Sequence, residues 1–231
     1  MMVIVMLSLG PLVGPWRVLA RGPVDSPGGG AILLIVADDR AGLEADIAAG
    51  RLVCPRCGRG VLGGWGCARR RPVRPLAGVR WLRPRRGRCR EAACGATHVL
   101  LPDVCVLRRC DAVEVIGAAV LLAASGAGYR RVAEQLGRPA ETVRDWLSRF
   151  RSRAELVAAH FWRWARALDG VLVLGVADGA TVVLVALEAI GVCTRAASLW
   201  LARRPAWSWV SALTGGRLLW INTNPPWPSP E

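Results

Sequence analysis

Cys54-Pro55-Arg56-Cys57-Gly58 is answered by Cys89-Arg90-Glu91-Ala92-Ala93-Cys94-Gly95, with a hairpin-length segment between them. Structural zinc takes four tetrahedral ligands, commonly thiolates delivered two at a time from tight turns. The first turn suits this, because its backbone amides can point at the sulfurs and Gly58 permits a positive φ. Cys54, Cys57, Cys89 and Cys94 are therefore the expected ligands of one structural Zn2+ in a small β ribbon. The second pair is the wider one, which leaves His98 and Cys67 open as substitutes for one ligand. If one pair has decayed in this chain, the cysteines are simply free. A catalytic zinc is not expected: the only adjacent carboxylate is Glu91, which reads as part of a local insertion in the second turn.

The segment 51–90 holds 13 of the 31 arginines and no Asp or Glu, while outside it 18 arginines face 17 acidic residues. The formal charge of +14 is thus concentrated on the ribbon, a field that attracts polyanions and says nothing about fold. The chain contains no lysine. A GC-rich coding sequence explains that choice, so the position of the arginines is the informative part. Within Leu76–Arg86, Val79, Trp81 and Pro84 are interleaved with Arg80, Arg83 and Arg85. Period-two alternation predicts a hairpin with arginines on one face and Val79 and Trp81 on the other. Arg69, Arg70, Arg71, Arg80, Arg83, Arg85 and Arg86 are the expected phosphate contacts.

Paired Cys-x-x-Cys turns in a basic chain point to metal rather than to a disulfide framework. Cys67, Cys105, Cys110 and Cys193 then read as reduced, partly buried small apolar residues. Met1–Leu9 is apolar but has no basic flank before it and is soon interrupted by Gly10 and Pro11, unlike a secretory signal. Val171–Val192 approaches the length of a membrane span, yet Asp178 and Glu188 lie inside it. A buried helix pair, or a strand and a helix, is expected there instead. No membrane contact is expected, and the localisation expected is cytoplasmic, on the nucleoid.

From Asp111 the pattern becomes helical. Ala112–Ala124 reads as a helix with Asp111 placed to cap it, Tyr129–Leu136 as a second, Ala140–Arg153 as a third and Ala154–Leu168 as a fourth. The span from Tyr129 to Leu147 has helix-turn-helix spacing: Ala133 is small where two helices cross, Gly137 turns the chain, and Val143, Trp146, Leu147 and Phe150 line one face. The other face presents Glu141, Arg144, Asp145 and Ser148, flanked by Thr142 and Arg149. Such an element can lie in the major groove, where Arg reads guanine and Asp accepts from cytosine. Thr142, Arg144, Asp145, Ser148 and Arg149 are the expected DNA contacts of this helix, with Arg138 positioning the backbone. The competing reading is an ordinary helical hairpin, since helical hairpins share this periodicity. Trp146, Trp162 and Trp164 fall on apolar stripes, whereas Trp65 and Trp81 sit among arginines where they could stack on bases.

Cys-Pro-x-Cys-Gly, the arginine hairpin ending Arg-Arg-Gly-Arg-Cys, and Cys-Gly-Ala-Thr-His-Val-Leu-Leu-Pro together resemble the amino-terminal zinc ribbon of insertion-sequence transposases, where a helix-turn-helix follows. The order also resembles uncharacterised ribbon-plus-helix-turn-helix proteins of high-GC bacteria, down to the closing Ala-Leu-Thr-Gly-Gly-Arg-Leu-Leu at 212–219. The resemblance covers about Leu43 to Arg166 and that closing motif. It implies binding to element ends or promoter-like sites. The sequence departs from the family in its wider second cysteine pair. It departs again in its length: transposases of this type continue into an RNase-H-like domain with three carboxylates, and here only about 65 residues follow Arg166.

The expected class is α+β: a small β zinc ribbon followed by a mainly α helix-turn-helix bundle, with disordered tails. The expected layout is a flexible leader at 1–30, a short strand and helix at 31–50, the ribbon at 51–110, the helix-turn-helix domain at 111–168, an apolar, mainly helical region at 169–221 and a Pro-rich tail at 222–231. The expected function is double-stranded DNA binding by a transcriptional or mobile-element-associated regulator. No complete catalytic constellation supports an enzyme. The alternatives are a truncated transposase or its non-catalytic accessory subunit, and a protein-interaction module. A second copy of the chain and a transposase are the protein partners this reading leaves open.

Overall fold

A computed structural model describes residues 3–5, 32–170 and 179–219. The expected tail at 222–231, most of the leader at 1–30 and Asp178 lie outside the described residues. The fold is α+β, with a sheet in the first half and seven helices among the described residues. The main sheet runs β1 (Val3–Val5), β2 (Ile32–Val36), β7 (Thr97–Pro102), β6 (Arg85–Cys89), β3 (Leu62–Cys67), in that spatial order. β1, β2 and β7 are mutually parallel, while β6 pairs antiparallel with both β7 and β3. Val3–Val5, within the stretch expected to be an irregular leader, is thus a sheet strand in register with Leu33–Ile35.

The ribbon does not stand apart from the strand and helix before it. Strand alternation sends Leu34, Val36 and Leu100 to one side of the sheet, where they pack with Leu43 and Ile47 of α1 (Arg40–Ala48) and with Leu62, Cys54 and Cys89. Ile35 and Leu101 point the other way, into a larger core with the helices. Strands covered on both faces read as unbroken apolar runs, which explains Ile32-Leu-Leu-Ile-Val36 and Val99-Leu-Leu101. Asp39 caps α1 by accepting from the Gly42 amide at 3.0 Å.

The arginine hairpin is bent rather than simple. β4 (Arg71–Val73) pairs antiparallel with β5 (Arg80–Leu82), and Ala68 N donates to Pro84 O at 2.7 Å where this small sheet meets β3 and β6. Residues 62–73 and 80–89 therefore form one long ribbon with a break at Pro84, which lacks the donor that would continue the ladder. Val73 and Leu82 fill the inside, whereas Val79 and Trp81 stand out in solvent.

The helices follow the periodicity closely: α2 (Val113–Ala124), α3 (Tyr129–Leu136), α4 (Ala140–Arg151) and α5 (Ala154–Leu168). α2 begins after Ala112, which makes no side-chain cap. Asp111 does not cap it as expected, because its carboxylate is engaged elsewhere. α6 (Val182–Trp200) lies against α5, and its buried stripe is Ala186, Ala189, Ile190, Cys193, Ala196 and Ala197. By length and composition alone α6 could cross a membrane. His160 of α5 lies 2.9 Å from Leu213 O, and burial pushes its pKa down to about 4, so it is neutral there.

The carboxy-terminal third is part of the core. α7 (Ala206–Leu213) ends at Leu213, and 214–219 is a buried turn with Gly215 and Gly216 at positive φ. Leu107 N donates to Gly216 O at 2.8 Å and Ser211 Oγ to Cys105 O at 2.6 Å. The closing Ala-Leu-Thr-Gly-Gly-Arg-Leu-Leu therefore plugs the space between the helices and β2. Trp207 lies directly over Gly117 of α2: a Cβ there would come within 2.0 Å of the ring. Gly117→Ala is expected to destabilise the fold by about 1–3 kcal/mol through overpacking. A thermal melt equal to that of the wild type would show that this contact is not a constraint.

Candidate nucleic-acid interface and metal centre

The metal centre is built from two turns facing each other. In the first, Gly58 N donates to Cys54 O at 2.9 Å with Gly58 at φ 65°, Cys54 N donates to Gly60 O at 2.7 Å, and Gly60 N lies 3.3 Å from Cys57 Sγ. In the second, Cys94 N and Gly95 N both donate to Glu91 O at 3.0 Å, which folds the extra residues into a turn of their own. The wider spacing thus still delivers Cys94. The four sulfurs of Cys54, Cys57, Cys89 and Cys94 all lie within 4.8 Å of one another, with Cys54–Cys94 at 3.8 Å and Cys57–Cys89 at 3.7 Å. A tetrahedral zinc with sulfur at about 2.3 Å requires sulfur–sulfur edges of about 3.8 Å. The donor set therefore fits a metal ion such as zinc.

The two substitutes are placed elsewhere. Cys67 is not in the group; it stands opposite Arg85 in the pairing of β3 with β6. His98 is fully buried with Nε2 3.3 Å from Cys54 Sγ, a geometry in which an Nε2–H donates to the sulfur from outside the four-thiol group. Burial pushes the Cys54 and Cys89 thiols up, against the pull of nearby amides. Burial also raises Cys57, but the Arg59 and Gly60 amides and the neighbouring thiols outweigh it and bring it down to about 7. Buried thiolates need compensating positive charge, which a divalent cation supplies. A Cβ on Gly60 would lie 2.5 Å from Cys89 Sγ, so only glycine lets the first turn approach the second this closely. The remaining cysteines are free: Cys105 and Cys193 are buried, Cys67 is half-buried and Cys110 is exposed.

The helix pair has helix-turn-helix construction. Val132 and Ala133 of α3 are buried against α4, whose Val143, Trp146 and Phe150 are also buried. Gly137 ends α3 in the left-handed region at φ 59°, with Arg138 N donating to Ala133 O at 2.9 Å and Gly137 N to Glu134 O at 3.1 Å. That double bond pattern is a Schellman turn, and it redirects the chain into α4 within three residues. Glu141, Arg144 and Ser148 are exposed, and Thr142, Asp145 and Arg149 are half-buried. Both acidic side chains on this face are paired: Glu141 with Arg144, and Asp145 with Arg149 at 2.5 Å and Arg109 at 3.1 Å. Their repulsion of phosphate is thereby reduced.

The ribbon and the helix pair are bolted together. Asp111, only 3% exposed, accepts from Arg74 at 2.8 Å and from Arg138 Nε at 2.7 Å. Arg138 also donates to Pro75 O at 2.7 Å. Arg138, expected at the DNA backbone, is thus a clamp from the helix-turn-helix turn onto the ribbon loop. Arg71 donates to Arg109 O at 2.5 Å, and Arg109 in turn holds Asp145, so β4 is linked to α4 through one arginine. Arg80 is paired with Asp38 at 2.5 Å, Arg85 with Glu44 at 2.8 Å, and Arg86 lies 3.4 Å from Thr97 Oγ1. Arg69, Arg70 and Arg83 are exposed with no ion pair among the described residues. Asp38, Glu44, Arg74 and Arg109 were not singled out from sequence, and Asp111 was read only as a helix cap. The bonds Asp38–Arg80, Glu44–Arg85, Arg74–Asp111 and Arg109–Asp145 each join residues more than thirty positions apart, so no local pattern marks them.

Residues 113–158 match the homeodomain-like domain family, a helix-turn-helix family. The match spans α2, α3, α4 and the start of α5, which is the helical unit built above. The chain therefore carries a helix-turn-helix of a DNA-binding class, joined to a ribbon with a four-thiol group. No curated protein and no solved structure matches the chain significantly.

Proposed function

We propose that the chain is a sequence-specific binder of double-stranded DNA, acting as a transcriptional or mobile-element-associated regulator in the cytoplasm and not as an enzyme. α4 enters the major groove, with Arg144, Ser148, Thr142, Asp145 and Arg149 toward base edges and adjacent phosphates. Arg69, Arg70 and Arg83 on the ribbon hold the flanking backbone, and zinc on the four thiols keeps the ribbon folded. The observation that carries this reading is the coincidence of the homeodomain-like match at 113–158 with a helix whose exposed side holds Arg144 and Ser148. The Asp111 clamp adds support, since it sets the basic ribbon at a fixed angle to that helix. Association with a transposase and pairing of two copies remain parts of this proposal, with two half-sites one helical turn apart as the signature of the latter.

Selection from random duplex DNA is the deciding experiment. The wild type is expected to enrich one motif. Arg144→Ala is expected to relax one position of it, costing about 1–3 kcal/mol at that base pair. Arg69→Ala with Arg83→Ala is expected to weaken all sequences alike and to reduce the salt dependence by about one unit per phosphate lost. An unchanged motif with Arg144→Ala and Asp145→Ala would remove α4 as the reading helix.

A further inference from the structure

Two tryptophans on the ribbon are left unexplained by duplex recognition. Trp65 is 48% exposed and Trp81 is 54% exposed, although Trp146, Trp164 and Trp209 are fully buried. Each carries a guanidinium over its ring: Arg88 at 4.6 Å from the Trp65 centroid and Arg70 at 4.7 Å from that of Trp81. Neither exposure is incidental to the local fold. Trp65 sits at an irregularity where the register of β3 against β6 shifts between Gly64 and Cys67, and Arg85 Nη1 holds the Gly66 carbonyl there at 2.6 Å. Irregularities of this kind re-aim a side chain out of a sheet. Trp81 lies opposite the face on which Val73 and Leu82 are already packed, so the hairpin has no interior place for it.

We propose that Trp65 and Trp81 are stacking sites for unpaired nucleobases, each with its arginine as the neighbouring phosphate contact, so that the ribbon grips single-stranded or locally opened DNA. Base stacking on an aromatic ring needs an open π face and a cation close by, and it tolerates any sequence. The occupant is argued from charge: residues 51–90 hold 13 arginines and no acidic residue, which suits a polyanion and disfavours an acid-free protein surface. Trp65 on β3, and Trp81 with Val79 and Leu76 on the hairpin, are the large apolar side chains exposed within such a field, too few for an apolar protein interface. The two rings lie on opposite strands on either side of the Pro84 break, so they serve two separate bases rather than adjacent ones. This extends the DNA-binding reading above to a second form of the polymer, and rests on it only for the identity of the polyanion.

The test is fluorescence anisotropy of labelled oligothymidylate and of a labelled random-sequence duplex with the full, zinc-loaded chain. Trp65→Ala and Trp81→Ala are each expected to weaken oligothymidylate binding at least about fivefold, with duplex affinity held within about twofold. Phe at either position is expected to retain most of the single-strand affinity, as a ring with the same stacking face. Zinc content and melting temperature report that each variant is folded. Wild-type oligothymidylate affinity in the Ala variants, or an equal loss on both DNAs, would overturn the proposal. Duplex binding without oligothymidylate binding by the wild type would sink this inference alone. Ring-dependent oligothymidylate binding without duplex binding would support it and remove α4 as a reading helix.

Discussion

Cys54→Ser is expected to release the metal and unfold the first half of the protein. Cys54 is fully buried and belongs to the apolar cluster of Leu34, Leu43, Ile47, Leu62 and Leu100, so metal site and core are one structure. Binding of structural zinc contributes about 10–16 kcal/mol in small zinc domains near neutral pH. That exceeds or equals the whole stability of an ordinary domain, about 5–15 kcal/mol. Losing one of four thiolates should therefore reduce bound zinc from about one equivalent to a small fraction. The ribbon should lose protection from proteolysis while α2–α5 keep their helical signal. A strong chelator on the wild type should reproduce both effects. A variant that keeps one equivalent of zinc and melts like the wild type would exclude the four-thiol site.

Asp111→Asn is expected to have the second-largest effect. The carboxylate is buried between Arg74 of the ribbon and Arg138 of the helix-turn-helix turn, at 2.8 and 2.7 Å. Removing the shared anion leaves two guanidinium groups facing one another in a partly desolvated place. Breaking a buried ion pair from one side costs about 3–5 kcal/mol. In a chain of this size that lowers the melting temperature by about 6–20 °C. Replacing all three groups with apolar residues of similar volume is expected to recover much of the loss. A melting temperature within about 2 °C of the wild type for Asp111→Asn would show that the clamp contributes little.

Much of the architecture was legible locally. α3 and α5 begin and end where the apolar spacing and the Gly137 turn place them, because each is governed by contacts three and four residues away. The four thiols were legible for a similar reason: tight turns bring each pair together over a few residues. The misreadings arose where a distant partner decides. Asp111 looked like a helix cap, since a carboxylate before a helix usually is one, but two arginines compete for it and win. Alternation alone did not say which face of the hairpin is the inner one; Val73 and Leu82 fill it and leave Trp81 exposed. The closing Gly-Gly segment had no local meaning until Ile35 and Leu107 were found against Gly216.

The helix-turn-helix, the two cysteine turns and the concentration of positive charge on 51–90 follow from neighbouring residues alone, since periodicity, turn chemistry and composition are local properties. Which arginines are available depends on the folded arrangement. Arg138, Arg80 and Arg85 are held by Asp111, Asp38 and Glu44, whereas Arg69, Arg70 and Arg83 face solvent. Charge acts through space, and chain folding alone sets which carboxylate lies within hydrogen-bond reach of which guanidinium.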